Sequence, residues 1–90
     1  MPKAIAIAAN AVGGIFALED SETGLCAVFE HTTGPMLEPG DVVDGDVTAM
    51  TLCTFVHDRG ACIAYARTGP ISRLKAVVLV DGPPPSGRDS

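Results

Sequence analysis

One predicted turn gathers the side-chain types that thiol catalysis requires. His57 and Asp58 lie in this turn, and Cys62 lies in the strand that follows it. A nucleophilic thiol needs a base and an orienting acid in contact with it. His and Asp residues at the tip of a hairpin are ordinarily solvated. A phosphate-binding loop is also not expected, because no helix is predicted after Gly13-Gly14 to bind the phosphate with its N-terminus. The sequence therefore predicts a protein that is not an enzyme.

The same cysteines are candidate metal ligands. Cys26, Cys53, His57 and Cys62 supply four donors, but no two cysteines form a C-x-x-C pair. Cys53 and His57 lie about 13 Å apart if they share one strand, which is too far for a single zinc ion. Acids at positions 41, 44 and 46 lack the alternating pattern of a calcium loop. We expect reduced, buried thiols and no metal or other cofactor.

Acidic residues concentrate in the first half of the chain. Residues 1 to 46 hold eight of the eleven acids and one of the six bases, and the net charge is −5. In predicted turns, acids commonly serve solubility and turn hydrogen bonding. The alternative is an acidic face that binds a protein partner, and its candidate residues are Glu38, Asp41, Asp44 and Asp46.

The second half of the chain offers a basic alternative. Single-stranded nucleic acid is held on small barrels by basic side chains and stacking rings. Residues 59 to 75 contain such a set, namely Arg59, Tyr65, Arg67, Arg73 and Lys75. The acidic net charge opposes this function, because phosphate contacts dominate the affinity for nucleic acid.

The elements that carry these residues are predicted to be strands. Period-two alternation and turn signals indicate strands over 3 to 9, 15 to 19, 25 to 31, 47 to 56, 61 to 67 and 73 to 80. Residues 37 to 47 resemble the entry strand of oligonucleotide-binding (OB) or SH3-like barrels. The predicted fold is all-β, a small barrel or sandwich of six to seven mostly antiparallel strands, OB-like or SH3-like. Helix content should be close to nil.

Two segments of the chain repeat the same pattern. Residues 24 to 35 and 60 to 70 each begin with Gly, place Cys third and an aromatic residue sixth, and end in Thr-Gly-Pro. They indicate two similar β units, joined by the proline-containing loop from 32 to 41. Both faces of residues 25 to 29 and 61 to 66 are apolar, so each strand should be covered on two sides or should contact another copy. Whether Cys53 and Cys62 share a face depends on the length of the intervening turn.

Composition suggests how the protein acts. Residues 1 to 81 should form one β domain, and the proline-rich residues 82 to 90 a flexible tail. Aromatic residues make up only 4% of the chain, so the core is small and self-association would add buried area. No apolar run is long enough to span a membrane. We therefore expect a cytoplasmic, self-associating module that binds a protein partner through the edge of strand 3 to 9 or 73 to 80.

Overall fold

The chain folds into six strands and one helix. The computed structural model describes residues 3 to 82. In chain order its elements are β1 (Lys3–Asn10), β2 (Ile15–Asp20), β3 (Cys26–Thr33), β4 (Val42–Asp44), β5 (Leu52–His57), β6 (Gly60–Ala66) and α1 (Arg73–Asp81). The all-β expectation is confirmed, and the strands form a closed antiparallel barrel. Of the expected tail, residues 83 to 90 lie outside the described residues.

The barrel consists of two antiparallel meanders placed edge to edge. The strand order is β1-β2-β3-β6-β5-β4, and β1 closes the barrel by pairing with β4. The two segments that repeat in the sequence contain β3 and β6, which are hydrogen-bonded neighbours at the junction of the meanders. This order is what two similar three-stranded units produce when they meet along both edges.

Three phenylalanines fill the barrel. The centroid of the Phe29 ring lies 4.8 Å from that of Phe55 and 5.9 Å from that of Phe16. All three rings are fully buried, and the inward face of β1 supplies small side chains, including Ala4 and Ala6, beside them. Each ring comes from a different strand, and the rest of the core consists of leucine and valine side chains together with several alanines and Cys62.

The prediction of a last strand over 73 to 80 is wrong, because these residues form α1. Ser72 caps the helix by accepting a hydrogen bond from the backbone N–H of Lys75 at 3.2 Å. Leu, Lys and Ala favour the first turn, although valines dominate the rest. A closed barrel has no free edge with which a seventh strand can pair. The segment therefore satisfies its backbone internally as a helix.

Helix α1 covers the outside of the first meander. Ala76 and Val80 are buried against Ala8, Ala17 and Val28 in a second apolar cluster. Strand β3 is consequently apolar on both faces, as its alternation predicts. Its inward residues Ala27 and Phe29 belong to the barrel core.

The hairpin between β5 and β6 settles the question of the two cysteines. His57 pairs with Gly60, so the turn has two central residues. Cys62 pairs with Phe55 and therefore lies on the same face as Cys53. Cys62 is fully buried in the barrel core, while Cys53 is partly buried beside it.

Strand β5 begins at Leu52 and not at residue 47. Asp46 holds residues 46 to 48 in a turn, because it accepts hydrogen bonds from the N–H and the hydroxyl of Thr48.

Gly45 allows the chain to cross the aromatic core. A Cβ atom at this position would overlap the ring of Phe55, which is itself packed between the other two rings. At Gly45 the chain therefore approaches Phe55 through backbone atoms alone. By contrast, a Cβ atom at Gly13 would meet the Asn10 side chain at an ordinary 3.6 Å.

We expect Gly45→Ala to lower the free energy of unfolding by about 1–3 kcal/mol, because Phe55 must leave its packed position. Gly13→Ala is the matched control and should change stability by less than about 1 kcal/mol. Urea unfolding of both variants measures the difference. Equal midpoints for the two variants would contradict this account of Gly45.

Candidate functional site

The structure places the predicted acidic residues in turns and ion pairs. A carboxylate oxygen of Asp41 lies 2.6 Å from an Arg59 nitrogen, and one of Asp44 lies 2.6 Å from the Lys3 Nζ. Asp46 accepts hydrogen bonds from Thr48, and the backbone N–H of Glu38 donates to Asp41. These contacts use two of the four carboxylates to join separate segments of the chain.

The hydrogen bonds change the acidity of two of these groups. The Arg59 guanidinium, followed by the N–H of Glu38, lowers the pKa of Asp41 below its ordinary value of 3.8. The hydroxyl of Thr48, followed by its N–H, lowers the pKa of Asp46. Both carboxyls therefore remain charged in mild acid, and their contacts persist there.

The predicted basic residues do not come together. Arg59 and Arg67 flank opposite ends of β6, about 26 Å apart along the strand. Arg67 pairs with Glu30, and Arg73 pairs with Glu19. Lys75 belongs to α1, whereas Tyr65 lies on the outside of β6, where its side chain is exposed.

The possible thiol catalytic group is not assembled. Cys62 is fully buried in the barrel core, and this burial raises the pKa of its thiol. A nucleophilic cysteine needs the opposite conditions, namely access and a lowered pKa. The Nδ1 atom of His57 accepts a hydrogen bond from the backbone N–H of Arg59 at 3.3 Å, so the ring stabilises the hairpin turn. Within residues 3 to 82, no three His, Cys, Asp or Glu side chains are grouped to hold a metal ion.

An open cleft of about 550 Å³ lies where the barrel is most weakly paired. Strand β4 has three residues, and a single residue pair, Asp44 with Val56, joins it to β5. The two ion pairs Lys3–Asp44 and Arg59–Asp41 line the cleft together with His57 and Asp58. The two ion pairs neutralise four of the charges in the cleft, and Asp58 is in no ion pair within residues 3 to 82.

Within residues 3 to 82, no helix covers the outside of the second meander, which carries several exposed apolar side chains. Leu52 pairs with Tyr65 across β5 and β6, and Thr54 pairs with Ile63. Val56 continues this row, and Val42 lies on the neighbouring β4. Leu52, Val56, Tyr65 and Val42 are 55%, 47%, 53% and 55% exposed. We call this surface the uncovered sheet face, and its residues are Val42, Leu52, Thr54, Val56, Ile63 and Tyr65.

The alternation of residues 61 to 66 predicts the part of this face that lies on β6, namely Ile63 and Tyr65, because the outward side chains of that strand are apolar. Val42, Leu52 and Val56 were not identified as site residues from the sequence. Their signal is that each alternates with a buried or partly buried neighbour, as Val56 does with Phe55. Residues 73 to 80 offer no strand edge, because they are helical. Strand β1 pairs with β2 along its length and with β4 over residues 3 to 5, so only part of its edge is free.

Helix α1 also presents apolar side chains to solvent. Leu74 is 72% exposed and Leu79 is 49% exposed. Val78 is half-buried between them, and Lys75 is exposed one turn before Leu79. We call Leu74, Lys75, Val78 and Leu79 the outer helix face. It lies opposite Ala76 and Val80, which are buried against the barrel.

No family model, curated protein or solved structure matches the chain at a significant level. Across residues 3 to 82, α1 is too short to cross a bilayer, and no other helix is present.

We expect the Asp41–Arg59 contact to make stability depend on pH. The pKa of Asp41 is lower in the folded protein than in the unfolded chain, so its contribution is present above that unfolded value and is lost as the pH falls through the folded one. Asp41→Asn should therefore reduce the free energy of unfolding near pH 7 and have a smaller effect near pH 2, to be measured by urea unfolding at both pH values.

An Arg59→Gln background is the control, because the guanidinium is the main cause of the lowered pKa. In that background, Asp41→Asn should show a weaker dependence on pH. An equal effect of Asp41→Asn at both pH values in the natural background would contradict the assignment.

Proposed function

We propose that this protein is a non-enzymatic interaction module that self-associates through the uncovered sheet face. The observation that carries the proposal is the difference between the two halves of the barrel. The outside of the first meander is covered by α1, whereas the outside of the second is equally three-stranded and bears exposed Leu52, Val56 and Tyr65. A group of exposed large apolar side chains on one sheet face favours a contact surface.

Self-association would bury apolar area on the uncovered sheet face. A fully buried Leu or Val side chain contributes about 1.5–3 kcal/mol, and four large side chains on this face are about half exposed. Covering these four side chains therefore contributes a few kcal/mol to the free energy of association. Contacts at the edge of the interface add to this contribution. Tyr65 lies beside Leu52 at one end of the face. Tyrosine is among the residue types that dominate binding energy at protein interfaces.

The placement of the basic residues favours protein binding over nucleic-acid binding. Each of the three arginines of residues 59 to 75 is in an ion pair with a different acid. Binding a phosphate backbone at these positions requires displacing those carboxylates, and the net charge of −5 adds repulsion. Of the expected stacking and basic groups, Tyr65 lies on the uncovered sheet face but Arg73 and Lys75 lie on the helix.

We expect the purified protein to associate with increasing concentration and Leu52→Lys to weaken this association at least about tenfold, which corresponds to about 1.4 kcal/mol. A charge on the face must be desolvated in the contact, which accounts for the loss. Light scattering at a series of concentrations measures the effect.

Val12→Lys is the matched control, because Val12 is a fully exposed apolar residue in the turn between β1 and β2. It introduces the same side chain and the same charge away from the face. The proposal fails if the natural protein keeps a monomeric mass at every concentration. It also fails if the two variants associate equally.

A further inference from the structure

We infer that self-association is head to tail, with the outer helix face of one copy seated on the uncovered sheet face of the next. This inference rests on the proposed function and specifies its occupant. Each chain would use two different surfaces, so the contact joins Leu74 and Leu79 of one copy to Leu52 and Tyr65 of another. Three observations support this arrangement.

The first observation is that α1 exposes leucine side chains on the side that faces away from the barrel. A helix that packs on one side only normally carries mainly polar residues on the other side. Here Ala76 and Val80 contact the barrel, yet Leu74 and Leu79 are largely exposed to solvent. The outer helix face is therefore a surface that lacks its cover in the single chain.

The second observation is that the fold already contains a similar contact. The barrel closes from two three-stranded meanders, and the outer face of the first one binds a helix through Ala8, Ala17 and Val28. Nine residues of helix span about 14 Å, and three strands placed about 4.8 Å apart give a face of similar width. A helix thus fits the second meander as α1 fits the first.

The third observation is the distribution of charge. Lys75 belongs to the outer helix face, while Asp46 and Asp58 are exposed in the loops next to β4 and β5. None of these three side chains is in an ion pair within residues 3 to 82. Two sheet faces in contact would bring like charges together, whereas the helix brings a basic residue to an acidic rim. Charge complementarity therefore selects the helix of a second copy over its sheet.

Head-to-tail contact has a consequence that a two-fold contact lacks. In a two-fold dimer the same patch is used by both copies, and association stops at two. When two different patches meet, each added copy leaves one free helix face and one free sheet face, which produces a ring or an open chain. The mass at high concentration should therefore exceed that of a dimer.

The test uses two variants, each with one blocked face. Leu52→Lys blocks the sheet face and keeps the helix face, and Leu74→Lys does the reverse while retaining a residue that favours helix. Both add the same charge. Each variant alone should be monomeric at a concentration where the natural protein and Val12→Lys associate, and an equimolar mixture of the two should form dimers with one copy of each, as measured by sedimentation.

The double variant Leu52→Lys/Leu74→Lys is the mixing control, because it lacks both faces, and its mixture with either single variant should remain monomeric. A Leu74→Lys protein that associates like the natural one overturns the inference and leaves the proposed function intact, because the contact then uses the sheet face alone. A mixture that stays monomeric while the natural protein associates also overturns it. A natural protein that is monomeric throughout overturns both.

Discussion

The contact between Phe16, Phe29 and Phe55 holds the two halves of this protein together. Two of the rings come from the first meander and one from the second, and Phe55 contacts both of the others edge-on. Aromatic pairs in this arrangement add stability beyond the area that they bury. Many of the surrounding core side chains are alanines, so the three rings supply much of the side-chain volume inside the barrel. The backbone at Gly45 lies so close to the Phe55 ring that a Cβ atom at this position would overlap it.

Closure of the barrel decides what the remaining chain can do. Both edges of each meander are used, through the pairing of β3 with β6 and of β1 with β4. The C-terminal segment consequently lies on the outside as α1, and a single short helix covers one meander only. The uncovered sheet face is the direct result of this difference between otherwise similar halves. The ion pairs are a lesser constraint, since exposed pairs contribute little to stability.

The sequence predicts part of the site. The alternation of residues 61 to 66 indicates an outward apolar row on β6, and Tyr65 and Ile63 lie there. The acidic residues attract attention as a group, yet Asp41 and Asp44 are paired with Arg59 and Lys3, which are distant in the chain. Such partners depend on which strands become neighbours. The sequence alone therefore does not distinguish a free carboxylate from a paired one.

By itself, the sequence determines the all-β class, the five strands that alternate most clearly and the two-unit plan, because alternation and turn residues act over short distances along the chain. Closure into a barrel, and not a sandwich, is decided by the tertiary structure. Only the tertiary structure decides that residues 73 to 81 are helical, since their valines favour a strand and the absence of a free sheet edge outweighs that local preference. It also decides that Cys53 and Cys62 share the inside of the barrel, because the two-residue turn sets the register. The surface that we propose for binding is likewise a sheet face and not a strand edge, because β1 has a neighbouring strand on each side and residues 73 to 81 are helical.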